Sequence, residues 1–263
     1  MLGKLLKYDL KWVYKVVGIF YILAFVFSII GRGLNEIENS ALYSIIAKIS
    51  FGFAISMMIN SLINCLMRLW ARFNINLYKD ESYLTHTLPV EKKKIYLSKV
   101  LSALICIFTT TIVIIICLFI CYYSKENLEI LKVLLELAAT TYNTTVLKLL
   151  LLITIVIFLE VIFIVLIGYV GSIIGHKSNK NKMIRTVVVG FGLYLLMQVI
   201  TLGVIGIYGL FNAEVMNLIN TTDIINIDAI KSVMYLGIIV YIMYIVSLYF
   251  LGKKQFEKGV NVD

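Results

Sequence analysis

One carboxylate, Glu160, stands between Leu159 and Val161 deep inside a long apolar run. A charge at mid-bilayer costs about 2.5–3.5 kcal/mol on insertion scales, so such a group must face protein or a wet cavity. Two roles fit it: a structural hydrogen bond, to Gln198 or to a serine or threonine, or contact with a substrate. Ser56, Asn60 and Asn64 form the second polar feature. Residues four apart drift by about 40° around a helix, so the three make one stripe, which Arg68 and Arg72 extend. Asparagine facing lipid would go unpaired, so the stripe must face a partner helix or a path through the membrane.

Hydrolytic chemistry lacks its residues. The two histidines, His86 and His176, fall in loops, and neither H-E-x-x-H nor Gly-x-Ser-x-Gly occurs. Cys65, Cys106, Cys117 and Cys121 lie within or at the ends of apolar runs, without the paired loop spacing of a disulfide framework or metal cluster. They read as small buried hydrophobes, reduced and inert. No G-x-x-x-x-G-K-[ST] is present to cradle nucleotide phosphates. The expectation is a protein with no catalytic centre and no metal or cofactor of its own.

The elements that position these residues follow from composition. Hydrophobic residues make up 61% of the chain and charged residues 15%, against about a quarter charged in a soluble domain. Apolar runs at about 15–31, 45–68, 100–123, 146–174, 186–211 and 232–251 each approach the ~20 residues needed to cross hydrocarbon. The fold class expected is therefore an all-α membrane protein, a single six-span domain over residues 1–263. The first run is followed by Gly31-Arg32-Gly33 rather than a small-x-small cleavage site, so it reads as a retained span.

Lysine and arginine fix the expected orientation. Of 24, 18 fall on the side that carries both termini and 6 on the other, and the basic side is cytoplasmic. The same distribution, in short loops rather than on one aromatic-studded face, argues against nucleic acid as a partner. Residues 1–14 place lysines 4, 7, 11 and 15 near helical spacing beside Leu2, Leu5, Leu6, Trp12 and Val13, which predicts an interfacial helix bound to membrane lipids. Residues 125–138 predict a short amphipathic helix outside the membrane. The stretch 203–231 is too polar to span and apolar enough to dip back into the outer leaflet. Gly171 and Gly175, with Gly168 near them, permit close helix approach.

The loop over 72–98 is the most informative segment. Tyr83, Leu84, Thr87 and Leu88 form an apolar strip on a very short helix, which Pro89 ends because proline has no N–H to donate and disfavours helix before it. Lys92, Lys93 and Lys94 then open the way to Ser98-Lys99. Such a helix either lies on lipid or docks in a groove of a soluble partner.

Through Glu81, Tyr83, Leu84, Thr85, Thr87, Leu88, Pro89 and Lys99, this loop resembles the permease subunits of ABC-2-type ABC transporters of low-GC Gram-positive bacteria. Ser82 stands where glycine is common there, and His86 departs from the usual residue. The resemblance extends to the layout of the chain, with a coupling loop after the second span. It implies a permease subunit in a bacterial plasma membrane, an exporter, paired with a second permease of the same or another kind. It implies separate ABC ATPase subunits that bind ATP and Mg and dock on Glu81, Tyr83, Leu84, Thr87, Leu88 and Pro89. Ser56, Asn60, Asn64, Glu160 and Gln198 would line the translocation path or the dimer interface. Two rivals remain open: a carrier needing no ATPase, and a sensor or immunity protein that binds an antimicrobial peptide.

Overall fold

The computed structural model describes residues 1–37, 41–178, 180–220 and 227–259, and every element among them is helical. In chain order these are α1 (Leu2–Asn35), α2 (Ala41–Tyr78), α3 (Ser82–Thr87), α4 (Lys92–Tyr122), α5 (Lys125–Thr141), α6 (Val146–Gly175), α7 (Lys182–Phe211), α8 (Ala213–Asn220) and α9 (Ile227–Glu257). Six of them, α1, α2, α4, α6, α7 and α9, are long and apolar enough to cross a membrane. The chain is a multi-pass membrane protein. Among the described residues only Pro89 could break a helix by its ring, and it sits between α3 and α4.

Two sequence expectations change. Residues 1–14 are not a separate surface helix: they are the leading turns of α1, which runs for 34 residues without a break. At 1.5 Å per residue it is about 51 Å long, well beyond the ~30 Å of hydrocarbon. Nothing between Tyr14 and Val17 could stop it, and its lysines at 4, 7, 11 and 15 are all exposed. Within 203–231, residues up to Phe211 continue α7 and Ala213–Asn220 form α8, whereas 221–226 lie outside the described residues.

The chain divides into two compact units, one built from residues 1–130 and the other from residue 131 onward. In the first, α1 packs on α2 and α4, and α2 also meets α3 and α4. Its mid-depth core joins Ala24 of α1, Ala54 and Met58 of α2, and Cys117 and Cys121 of α4, flanked by Phe27 and Phe51. Phenols stitch α1 to α4, with Tyr14 bonded to Thr109 at 2.6 Å and Tyr21 to Thr110 at 2.6 Å. All four cysteines are buried and free.

In the second unit, α6 packs on α7 and α9, and α8 bridges α7 and α9. Gly171 and Gly175 are the point of closest approach to α7. A Cβ on Gly175 would stand 2.7 Å from the Thr186 amide nitrogen, and one on Gly171 2.9 Å from the Thr186 carbonyl oxygen. Only glycine fits there. Asn181 starts α7 from the left-handed region, at φ 55°, which asparagine tolerates better than most residues.

Candidate functional site

Three long helices meet at the lysine-rich end of the first unit: α1 begins there, α2 ends and α4 begins. Pro89 holds Leu88 in extended backbone, at φ −60° and ψ 138°, so α3 stops at Thr87 after less than two turns. A helix this short has no stability of its own and must be held by tertiary contacts.

Those contacts are polar. Asp9 of α1 is 3% exposed, and its Oδ1 accepts from Arg72 Nε of α2 at 2.9 Å and from Lys99 Nζ of α4 at 2.7 Å. Ser98 Oγ donates to Asp9 Oδ2 at 3.3 Å. The same Arg72 donates through Nη1 to Glu81 Oε2 at 2.6 Å, just ahead of α3. Asn76 Nδ2 donates both to Glu81 Oε2 at 2.9 Å and to Thr85 Oγ1 at 2.9 Å. A ring nitrogen of His86 bonds the Leu77 carbonyl oxygen at 3.1 Å, satisfying a carbonyl at the end of α2. Trp12 covers the network from α1, with the Arg68 guanidinium 4.3 Å from its ring centre and that of Arg72 5.6 Å away.

The hydrogen-bonded ion pairs match in charge, with the Arg68 guanidinium on Trp12 a further positive group beside them. Asp9 and Glu81 supply two negative charges, Arg72 and Lys99 two positive, and each makes at least one charge-assisted bond. Burial without such pairing would be prohibitive. The result ties α1, α2, α4 and the start of α3 into one body.

Held this way, α3 is amphipathic in reverse. Its small polar residues, Ser82 and Thr85, face inward and are buried, while Tyr83 is 75% exposed, Leu84 68% and Leu88 44%. Water-facing helices normally turn such residues the other way. Thr87 and Pro89 are exposed beside them, whereas Glu81 turns back to Arg72 and Asn76. Beyond Pro89, Glu91 is bonded to Lys93 at 2.6 Å and Lys94 at 3.0 Å. Those two lysines hold its carboxyl down to about 2.

Ser56, Asn60 and Asn64 lie on the side of α2 opposite its buried stripe of Ala47, Ala54, Met58, Cys65 and Leu69. Asn60 and Asn64 each donate back to the carbonyl one turn earlier, at 2.9 Å, so each amide has a partner within its own helix. Arg68 and Arg72 leave the stripe and turn toward Trp12 and Asp9.

The second unit holds Glu160 and Gln198. The partner of Glu160 is the phenol of Tyr241 on α9, which donates to Oε2. Among the described residues its other oxygen makes no hydrogen bond. An aromatic cluster lies beside it, in which Phe163 meets Tyr241 edge-on at 5.2 Å, Tyr244 at 5.8 Å and Tyr194 at 6.2 Å between ring centres. Tyr244 is anchored by a bond to the Leu193 carbonyl at 2.8 Å. Gln198 is half-buried on α7.

Sequence reasoning missed Asp9 and Tyr241. Asp9 has one signal: it is the only acid in the first 35 residues, and it shares a face with Val13 and Val17, away from the lysines. Nothing in the sequence pairs Tyr241 with Glu160. Among the described residues no group of histidine, cysteine and acid side chains is placed to hold a metal ion. Comparison of the chain with protein-family models, curated proteins and solved structures returns no match.

Proposed function

We propose that this chain is the membrane subunit of an ATP-driven exporter of the ABC-2 type, with ATP hydrolysis carried out by a separate chain docked on α3. The observation that carries the reading is the reversed amphipathicity of α3. Tyr83 and Leu84 on α3, and Leu88 just past its end, point away from the protein, and a partly buried network of ion pairs holds that helix in place. An apolar strip displayed on so rigid a mount suits a groove in a soluble partner. A few aromatic and aliphatic anchors can dominate such an interface.

In this reading residues 72–98 and both termini are cytoplasmic, in a bacterial plasma membrane, on the strength of the basic bias. The short helix α8 lies at the outer face between the fifth and sixth spans, and a second permease completes the path. When the ATPases close on ATP, they displace α3. Arg72 passes the displacement to α2 through Glu81, and Asp9 passes it to α1 and α4. The spans then shift as rigid helices between states that the two nucleotide conditions favour differently.

Purification from the native membrane in mild detergent, with the co-eluting chains identified by mass, tests the assignment. A partner carrying G-x-x-x-x-G-K-[ST] is expected. Elution of the chain alone, with α3 intact, would contradict it.

A further inference from the structure

Glu160 opens into a cavity of about 310 Å³ lined by Val156, Leu159, Thr201, Met234, Gly237 and Tyr241. Its wall is almost wholly apolar. Thr201 already spends its hydroxyl on the Met197 carbonyl at 2.9 Å, and the Tyr241 phenol is committed to Glu160. The second Glu160 oxygen is thus the one strong acceptor in the cavity without a donor among the described residues. Gly237 lines it without a side chain, and a Cβ there would meet nothing within 4 Å.

From this we infer that the cavity binds a hydrophobic cation, an alkyl- or arylammonium, with its charge on Glu160 and its apolar part against Val156, Leu159 and Met234. In its ionised form a carboxylate in hydrocarbon is stabilised most by a positive partner. Among the described residues, no lysine or arginine lines the cavity to supply one. The ring of Tyr241 adds an aromatic surface, which favours ammonium groups. The volume takes a short chain and its head, not a whole lipid. This deepens the proposed function by naming its substrate class, yet binding requires only this chain.

The test uses the full chain, purified without any ATPase, in lipid nanodiscs. Octyltrimethylammonium and octanesulfonate, alike in chain and opposite in charge, are the probes, and equilibrium dialysis is read against empty nanodiscs. Saturable binding of the cation alone is expected. Glu160→Gln, which keeps an acceptor for Tyr241 but removes the charge, should weaken it at least tenfold, and so should Gly237→Leu, which fills the space and leaves the carboxylate. Thermal unfolding in the same particles shows that each variant is folded. Equal binding of both probes, no binding above empty nanodiscs, or a folded variant of either kind that binds normally would overturn the inference. None of these results depends on whether an ATPase docks on α3.

Discussion

Asp9 and Glu160 are both carboxylates set among membrane helices, and their surroundings are opposite. Asp9 receives an arginine, a lysine and a serine, drawn from two other helices. Glu160 receives one phenol and faces open space. The first charge is cancelled inside the chain, so it fixes structure. The second is left to be cancelled from outside. Where a buried charge finds its partner decides whether it holds a fold or binds a ligand.

Breaking the comparison at Asp9 gives the largest expected effect. Asp9→Ala leaves Lys99 and one face of Arg72 buried without a counter-charge, at a cost of about 3–5 kcal/mol. Unfolding in detergent followed by helical circular dichroism should show it, together with faster proteolysis of the loop around α3. Asp9→Leu combined with Lys99→Met should recover most of that loss, because apolar replacements of a whole buried pair are often neutral. If the double variant is no better than the single one, the charge-balance argument fails.

Glu160→Gln sharpens the contrast. The amide oxygen still accepts from Tyr241, so unfolding should change by less than about 1 kcal/mol. A loss as large as that of Asp9→Ala would make Glu160 a structural residue of the same kind.

The smallest effect belongs to Glu91. Its folded carboxyl is held down to about 2 by Lys93 and Lys94, below its ordinary 4.5. A depressed value stabilises the fold above the unfolded value, and that contribution disappears as pH falls from about 4.5 through 2. Because Glu91 is exposed, solvent screens the interaction. A titration should therefore show Glu91→Gln slightly less stable than the native chain by a constant margin from pH 7 to 5, and that margin should close as pH falls below about 4.5.

Much of the fold was legible because hydrocarbon imposes a length and a composition on every span. All six apolar runs became long helices, with ends shifted outward by as much as thirteen residues, since the helices continue past the hydrocarbon. Pro89 marked the end of α3 because its effect is local and steric. The separate N-terminal helix was misread: amphipathic spacing says which side is wet but not whether the axis continues. Asp9 and Tyr241 were invisible for a different reason. Their partners lie 63, 90 and 81 positions away, and such pairings are set by packing rather than by any periodicity. Likewise the inward turn of Glu81 depends on Arg72 and Asn76, so its place in the motif could not reveal that it braces α3.

In the proposed function α3 is mounted in order to be grasped. If an ATPase co-purifies with the native chain, its capture by two variants decides the matter. Replacing Tyr83 and Leu84 with alanine removes anchors worth at least about 2 kcal/mol each, about thirtyfold in affinity apiece, and should release the ATPase while helical content stays native. Replacing Lys92, Lys93 and Lys94 with alanine should weaken attraction to anionic lipid by about 1 kcal/mol per charge and leave the ATPase bound. If the lysine variant loses the ATPase and the Tyr83/Leu84 variant keeps it, the strip is a lipid-facing helix and the claim is wrong.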